Sequence, residues 1–252
     1  MPRTFLGQNF LIDENWQKKI ISHFSPSGDF MEIGPGRGAI TQHLCNKFSH
    51  FYVYEKDAEL VKIHSANSKL TVFNGDFLDW DFSIEGRVVE NFSFIGNLPY
   101  ESGSAMVQKI CERADQVSSF LFLLQKEVVE RICAEPRTSD FASFTVLVQG
   151  QFDVRSLDII PPEAFRPAPQ VMSQLVLGVR RQSGRHPIDV DYQKFLKRSF
   201  LHKRKTARNA WKSLMDQNTM ERVFDKFKLS STARAEEISV DLWPEIFREY
   251  RS

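Results

Sequence analysis

Asn97-Leu98-Pro99-Tyr100 closes an apolar run (Phe92 to Gly96) with an amide, a proline and an aromatic ring. Pro99 lacks a backbone donor and pushes Leu98 away from helical geometry, so the chain leaves its strand extended with carbonyls free to face a ligand. The Asn97 side-chain oxygen and the Leu98 carbonyl are two acceptors, one for each hydrogen of an exocyclic amine on a planar base. Such an amine is a poor nucleophile because its lone pair is delocalised into the ring. Two acceptors favour a pyramidal nitrogen whose lone pair can attack a methyl group. This is orientation and electrostatic stabilisation, and the N-methylated cation is acidic enough to lose its proton to water. Tyr100 offers a flat face on which a base can stack.

A second cluster lies upstream. Gly34, Gly36 and Gly38 stand between a short strand and a helical run, where glycine lets the backbone turn sharply and approach a ligand. Gly34, Gly36 and Ala39 satisfy G-x-G-x-x-G/A, and Glu55 ends the next strand, where an acid suits two ribose hydroxyls. This pattern fits a dinucleotide or S-adenosylmethionine. Glu32, just before the glycines, would repel a diphosphate, whereas the ammonium and sulfonium of S-adenosylmethionine are cationic. Asp76, at the end of a third strand, can accept from an adenine amino group, and Phe77 can lie on the ring.

The elements that must position these residues are legible as alternating patterns. Asp13 can cap a helix carrying Trp16, Ile20, Ile21 and Phe24 at helical spacing. Strands are predicted at 30–33, 50–54, 70–73, 92–96 and 119–124, with helices between them and another at 126–134. Residues 145–154 and 174–179 read as two further strands, joined without a clear helix and so placed as an antiparallel edge. The alternation predicts an α/β fold, a largely parallel sheet with helices on both faces. Residues 182–187 read as a linker. Beyond it the pattern is helical, with Tyr192, Phe195, Leu196, Ser199 and Phe200 on one face and further helices near 219–227 and 240–250. The expected domains are therefore 1–183 and 188–252.

At 252 residues, 42% hydrophobic and 26% charged, the chain has the composition of a soluble globular protein. No apolar run is long enough to span a membrane, and the N-terminus lacks the core of a signal peptide. Three cysteines with no C-x-x-C pair predict reduced thiols, a cytoplasmic location and no metal site. The net charge of +1 hides a local patch. Residues 194–212 hold Lys194, Lys197, Arg198, Lys203, Arg204, Lys205, Arg208 and Lys212 and no acid, a concentration that favours phosphate contact.

The chain resembles the ribosomal RNA adenine N6,N6-dimethyltransferases, the dimethyladenosine transferase family. The matching segments cover nearly its whole length: FLGQNFLID (5–13), MEIGPGRGAIT (31–41), YEKD (54–57), NGDFL (74–78), GNLPY (96–100), LLQKEVVERI (123–132), PPEAFRPAP (161–169) and FLHKRKTARN (200–209). The resemblance implies a Rossmann-like S-adenosylmethionine-dependent methyltransferase domain and a small all-helical, RNA-binding C-terminal domain. It implies transfer of two methyl groups to each of two adjacent adenines near the 3′ end of small-subunit (16S) rRNA, in ribosome biogenesis. The implied partner is small-subunit rRNA or the immature small subunit, with a monomer as the default state.

By motif match, Asn9, Leu11, Gly34, Glu55, Asp76 and Asn97 would hold the cofactor, with Gly36 and Phe77 added from the glycine loop and the Asp76 turn. Asn97, Leu98, Tyr100 and Phe165 would hold the target base, with Phe165, rigidified by flanking prolines, sandwiching it against Tyr100. A flipped adenine loses stacking in its strand, which such a sandwich offsets. Lys203, Arg204, Lys205 and Arg208 would meet RNA. Departures occur at Glu101, where the family commonly has a small polar residue, and at Gln170-Val171-Met172-Ser173, where it reads lysine-valine-aspartate-serine. They bear on RNA affinity and on the extent of dimethylation, and do not touch the methyl-transfer chemistry. Three other readings remain at this stage: a large-subunit adenine N6-methyltransferase of the antibiotic-resistance type, a ribosome assembly factor without catalysis, and a nicotinamide-dependent oxidoreductase supported only by the glycine loop.

Overall fold

The computed structural model describes residues 9–182, 188–202 and 205–252. A two-residue strand, β1 (Phe10–Leu11), leads into α1 (Glu14–Ser22). The Asp13 carboxylate caps this helix by accepting from the backbone N–H groups of Asn15 and Trp16 at 2.8 and 3.2 Å. Next come β2 (Phe30–Ile33), α2 (Thr41–Lys47), β3 (Phe51–Glu55), α3 (Ala58–Ser65) and β4 (Leu70–Asn74). A small hairpin of β5 (Ser83–Ile84) and β6 (Arg87–Val88) precedes β7 (Phe92–Asn97), α4 (Gly103–Glu112) and β8 (Val117–Gln125). Then follow α5 (Lys126–Ile132), α6 (Ser143–Gln149), β9 (Phe152–Ile160), the short β10 (Phe165–Arg166) and β11 (Ser173–Arg180). The last helices are α7 (Val190–Ser199), α8 (Ala207–Trp211), α9 (Gln217–Lys226) and α10 (Leu242–Arg251).

Seven strands form one sheet in the order β4-β3-β2-β7-β8-β11-β9. The first five are parallel, and β11 pairs antiparallel with β8. The chain steps outward from β2 to β3 and β4, then returns on the other side of β2 as β7. The C-terminal ends of β2 and β7 therefore flank the point where strand order reverses, where open α/β sheets have their crevice. Gly96 permits the close approach there, because a Cβ at this position would stand 2.5 Å from the Ile33 carbonyl oxygen. Below the crevice, Tyr54, Phe77, Trp80, Phe82, Phe92 and Phe94 form a continuous aromatic core with ring centroids 4.6–6.4 Å apart.

One strand expectation fails. Residues 145–149 are helical, as part of α6, and the strand begins at Phe152. The run Thr145-Val146-Leu147-Val148, β-branched except at Leu147, is buried throughout, and a short apolar run has no period to separate strand from helix. Thr145 decides it locally: its hydroxyl accepts from the Ala142 N–H at 3.0 Å and donates to the Arg131 carbonyl at 2.6 Å. Gly150 ends the helix.

By contact density the chain forms two compact units, 1–129 with 154–180, and 130–153 with 181–252. The border at 180/181 lies near the expected one at 183–188, but the second unit also takes 130–153, a segment the sequence reading assigned to the first domain. The linker residues 183–187 lie outside the described residues. In the second unit, Tyr192, Phe195, Leu196 and Ser199 are buried on the predicted inner face of α7. Phe195 packs among Trp211, Trp243 and Phe247, and the Trp211 indole N–H donates to Ser199 Oγ at 2.9 Å.

Candidate active site

Four parallel strands end on the same edge of the sheet, and their C-terminal residues line one cavity of about 680 Å³. β2 delivers Gly34, Gly36 and Gly38; β3 delivers Glu55; β4 delivers Asp76; β7 delivers Asn97 and Leu98. The three glycines have φ of 64°, 56° and 87°, a left-handed region that favours glycine. A Cβ at Gly34 would meet no atom within 4 Å, so the space beside the loop is open to a ligand. Asn9 and Leu11 close the cavity from β1. That segment is held in place by the Asn97 amide, whose Nδ2 donates to the Asn9 carbonyl at 2.9 Å, and by the side chain of Gln17, whose Nε2 donates to the Leu11 carbonyl at 3.1 Å.

The Asn97 bond also settles which way the amide points. With Nδ2 committed to Asn9, Oδ1 is the acceptor left for the cavity, and no described residue donates to it or to the Leu98 carbonyl. Tyr100 lines the same cavity half-buried, its ring fixed by a 2.6 Å hydrogen bond between its hydroxyl and Ser173 Oγ at the start of β11. Burial raises the phenol's pKa, so it stays neutral.

The acids are arranged to receive cations and hydroxyls. Glu55 is 3% exposed, and its carboxylate accepts from the Gly36 N–H at 3.2 Å and the Asp57 N–H at 2.8 Å, which tie it to the glycine loop. Glu32 is 1% exposed and accepts from the Thr41 hydroxyl at 2.7 Å. Burial pushes the Glu32 carboxyl from 4.5 up to about 8; the Thr41 hydroxyl opposes this and the charge of Glu55 adds to it. The folded protein therefore holds this proton more tightly than the unfolded chain does. The resulting stabilisation is complete below 4.5 and is lost as the pH rises through about 8.

A cation bound beside Glu32 lowers its pKa again. Binding of S-adenosylmethionine at pH 7 is accordingly expected to release close to one proton, and affinity should rise with pH up to about 8. Calorimetry in buffers of different ionisation enthalpy measures this. No release, or the same release from Glu32→Gln, would place the cofactor's charge elsewhere.

Several sequence expectations are corrected here. Phe165 is 3% exposed and belongs to the hydrophobic core with Leu11, Ile160 and Leu175, on β10 opposite Leu11; it does not line the cavity and is not placed to sandwich a base. Its prolines hold the loop, but the pairing of β10 with β1 turns the ring inward. Phe165→Ala is expected to cost about 3–5 kcal/mol of stability, read as a lowered denaturation midpoint; an unchanged midpoint would show that the ring is not core.

Phe77 is likewise core, 2% exposed among Tyr54, Trp80 and Phe82, so its ring is not free to lie on an adenine, although the residue borders the cavity. Asp76 is not a free carboxylate. Oδ2 accepts from Lys56 Nζ at 2.8 Å and Oδ1 from the Leu78 N–H at 2.9 Å, and these two bonds hold its pKa below the usual value. Each oxygen keeps a lone pair for an amine.

Of the expected RNA contacts, Lys203 and Arg204 lie outside the described residues, and Lys205 is exposed. Arg208 is not an uncompensated cation. Its guanidinium pairs with both oxygens of Glu221 at 2.8 and 3.0 Å and lies 4.5 Å from the Phe224 ring centroid. The acid comes from α9, out of reach of any local reading.

Sequence reasoning missed Gln17, Thr41, Lys56 and Ser173. Only Gln17 carried a signal, as a polar residue in the apolar stripe with Ile20, Ile21 and Phe24. It is 4% exposed, and its Oε1 accepts from Gln42 Nε2 at 3.0 Å.

The profile of the family described as "Ribosomal RNA adenine dimethylase" matches residues 2–252. The chain belongs to the ribosomal RNA adenine dimethylase family. It is an S-adenosylmethionine-dependent rRNA adenine dimethyltransferase, and the cavity fits that cofactor: buried acids for its cationic and hydroxyl groups, and open space beside Gly34. Similar to this dimethylase is the "Ribosomal RNA small subunit methyltransferase A" of Dechloromonas aromatica (strain RCB), 35% identical over 96% of this chain and 94% of its own length. A dimethyladenosine transferase from Plasmodium falciparum superimposes with a TM-score of 0.79 at 19% identity, covering 96% of this chain and 97% of that one. The 23S rRNA methyltransferase ErmE gives 0.68 at 22% identity, covering 97% and 100%. At these identities the two structures establish the shared methyltransferase fold.

Proposed function

We propose that this dimethylase adds two methyl groups to N6 of each of two adjacent adenines near the 3′ end of small-subunit (16S) rRNA, acting as a monomer on the immature small subunit in the cytoplasm. The observation that carries the chemistry is the Asn97 amide, oriented by Asn9 so that Oδ1 and the Leu98 carbonyl are the two free acceptors at the end of β7. When bound, S-adenosylmethionine supplies an electrophilic methyl group on its sulfonium.

The chain's residues do the rest. Glu55 accepts the two ribose hydroxyls while it holds the glycine loop through the Gly36 N–H. Asp76, kept ionised by Lys56, accepts from the cofactor's adenine amine. Asn97 Oδ1 and the Leu98 carbonyl take the two hydrogens of the target N6 and free its lone pair. Tyr100, held by Ser173, supplies the stacking face. After the first transfer one N6 hydrogen remains, and the single acceptor that takes it orients the nitrogen for the second. The proton leaves to water, so no dedicated base is needed.

The small-subunit reading is preferred to the large-subunit one on two grounds. Curated relatives at 35–36% identity over 94–96% of this chain carry the small-subunit name. The motif has Leu98 where large-subunit enzymes commonly have isoleucine. Mass spectrometry of rRNA digests from cells with and without the protein tests it: N6,N6-dimethyladenosine in the small-subunit fragment should vanish with the protein. Loss from large-subunit RNA instead would overturn the substrate assignment.

A further inference from the structure

The cavity presents a problem of charge. Glu55, Asp76 and Glu101 line it beside the protonated Glu32, so an RNA strand laid across its opening brings phosphates towards three carboxylates, with Lys56 offsetting Asp76. Two exposed cations share that lining with no carboxylate partner among the described residues: Arg37 in the glycine loop and Arg166 on β10.

The fold places these two arginines around one aromatic residue. Arg166 is the register partner of Phe10 in the antiparallel pair of β1 and β10. Side chains directly opposite in such a pair emerge on the same face about 4.5–5.5 Å apart at Cβ. Arg37 lies over the Phe10 ring at 4.8 Å from its centroid. That ring fits where it does because position 36 is glycine, since a Cβ there would stand 3.1 Å from it. Phe10 is thus a platform with one guanidinium on its ring and a second arginine opposite it in the ladder. A stacked guanidinium is planar and pre-oriented, so it loses little freedom on binding. Its fork matches the two non-bridging oxygens of a phosphodiester.

We propose that Arg37 and Arg166 form a phosphate clamp at the rim of the cavity, gripping the RNA backbone next to the adenosine inserted at Asn97. This rests on the RNA substrate proposed above. The test measures binding of a short fluorescein-labelled single-stranded RNA, by anisotropy across a salt series, for the wild type, Arg37→Gln, Arg166→Gln and the double variant. Each single change should flatten the log K against log salt slope by about 0.7, and the pair by about 1.4. The double variant should raise the KM for RNA about tenfold. Arg166→Lys should keep the slope while recovering only part of the affinity, because charge is retained and the fork is lost. S-adenosylmethionine affinity should stay within twofold.

An unchanged slope in the double variant overturns the clamp. So does a weakened cofactor with an unchanged slope, which would assign the arginines to the methionine carboxylate. A wild type that binds RNA but methylates no adenine would overturn the proposed function instead, and the binding slopes would still report on the clamp.

Discussion

Asn97→Ala is expected to lower the rate of methyl transfer by about 10²–10³-fold, the cost of removing one preorganised polar group aimed at the reacting atom. The loss comes from two connected causes. The acceptor Oδ1 disappears from the cavity, leaving the target amine one partner instead of two. The Nδ2 donor to the Asn9 carbonyl also disappears, so β1 loses one of its anchors over the cofactor side and keeps Gln17 and the pairing with β10. The first effect appears in kcat, and the second in a modest weakening of S-adenosylmethionine. Single-turnover methylation with radiolabelled methyl groups and calorimetry of cofactor binding separate them. Turnover within threefold of wild type would remove Asn97 from the chemistry. A loss confined to cofactor affinity would make it an anchor for β1 alone.

Glu55→Gln, nearly isosteric, is expected to weaken S-adenosylmethionine about 10²-fold. Both oxygens of the native carboxylate accept backbone N–H groups, from Gly36 and Asp57. A glutamine must turn its own NH₂ towards one of them, so a buried donor faces a donor, a penalty of about 1–3 kcal/mol. It also lacks the charge that strengthens hydrogen bonds from the ribose hydroxyls. Because Glu55 ties down the left-handed Gly36, the variant should loosen the loop as well as the ribose site. Calorimetry gives the affinity, and circular dichroism checks that the fold persists. An affinity within threefold of wild type would mean that the ribose is held elsewhere.

Both predictions concern residues at strand ends, and these were the legible part of the site. In a parallel sheet every strand ends on the same edge, so residues just past successive strands must converge, however far apart they are in the chain. Gly34, Glu55, Asp76 and Asn97 could therefore be assembled on paper. Three other features could not. The run 145–149 has strand-like residues, yet burial of 145–148 and a threonine bridge make it helical. Phe165 sits in a proline-rich loop that reads as exposed, yet β10 pairs with β1 and carries the ring into the core. Arg208 stands in a segment free of acids, yet Glu221 reaches it from the next helix.

The chemistry of the strand tips, the glycine loop and the capped first helix follow from residue type and spacing alone, because local backbone preference and the parallel-sheet rule constrain them without distant partners. Which end of the Asn97 amide faces the cavity, that Lys56 already occupies Asp76, and that Phe10 gathers Arg37 and Arg166 were decided only by the fold. Each depends on a partner far along the chain, or on the ladder that carries it. Nothing in a linear sequence states which side chains a folded backbone brings within hydrogen-bond reach.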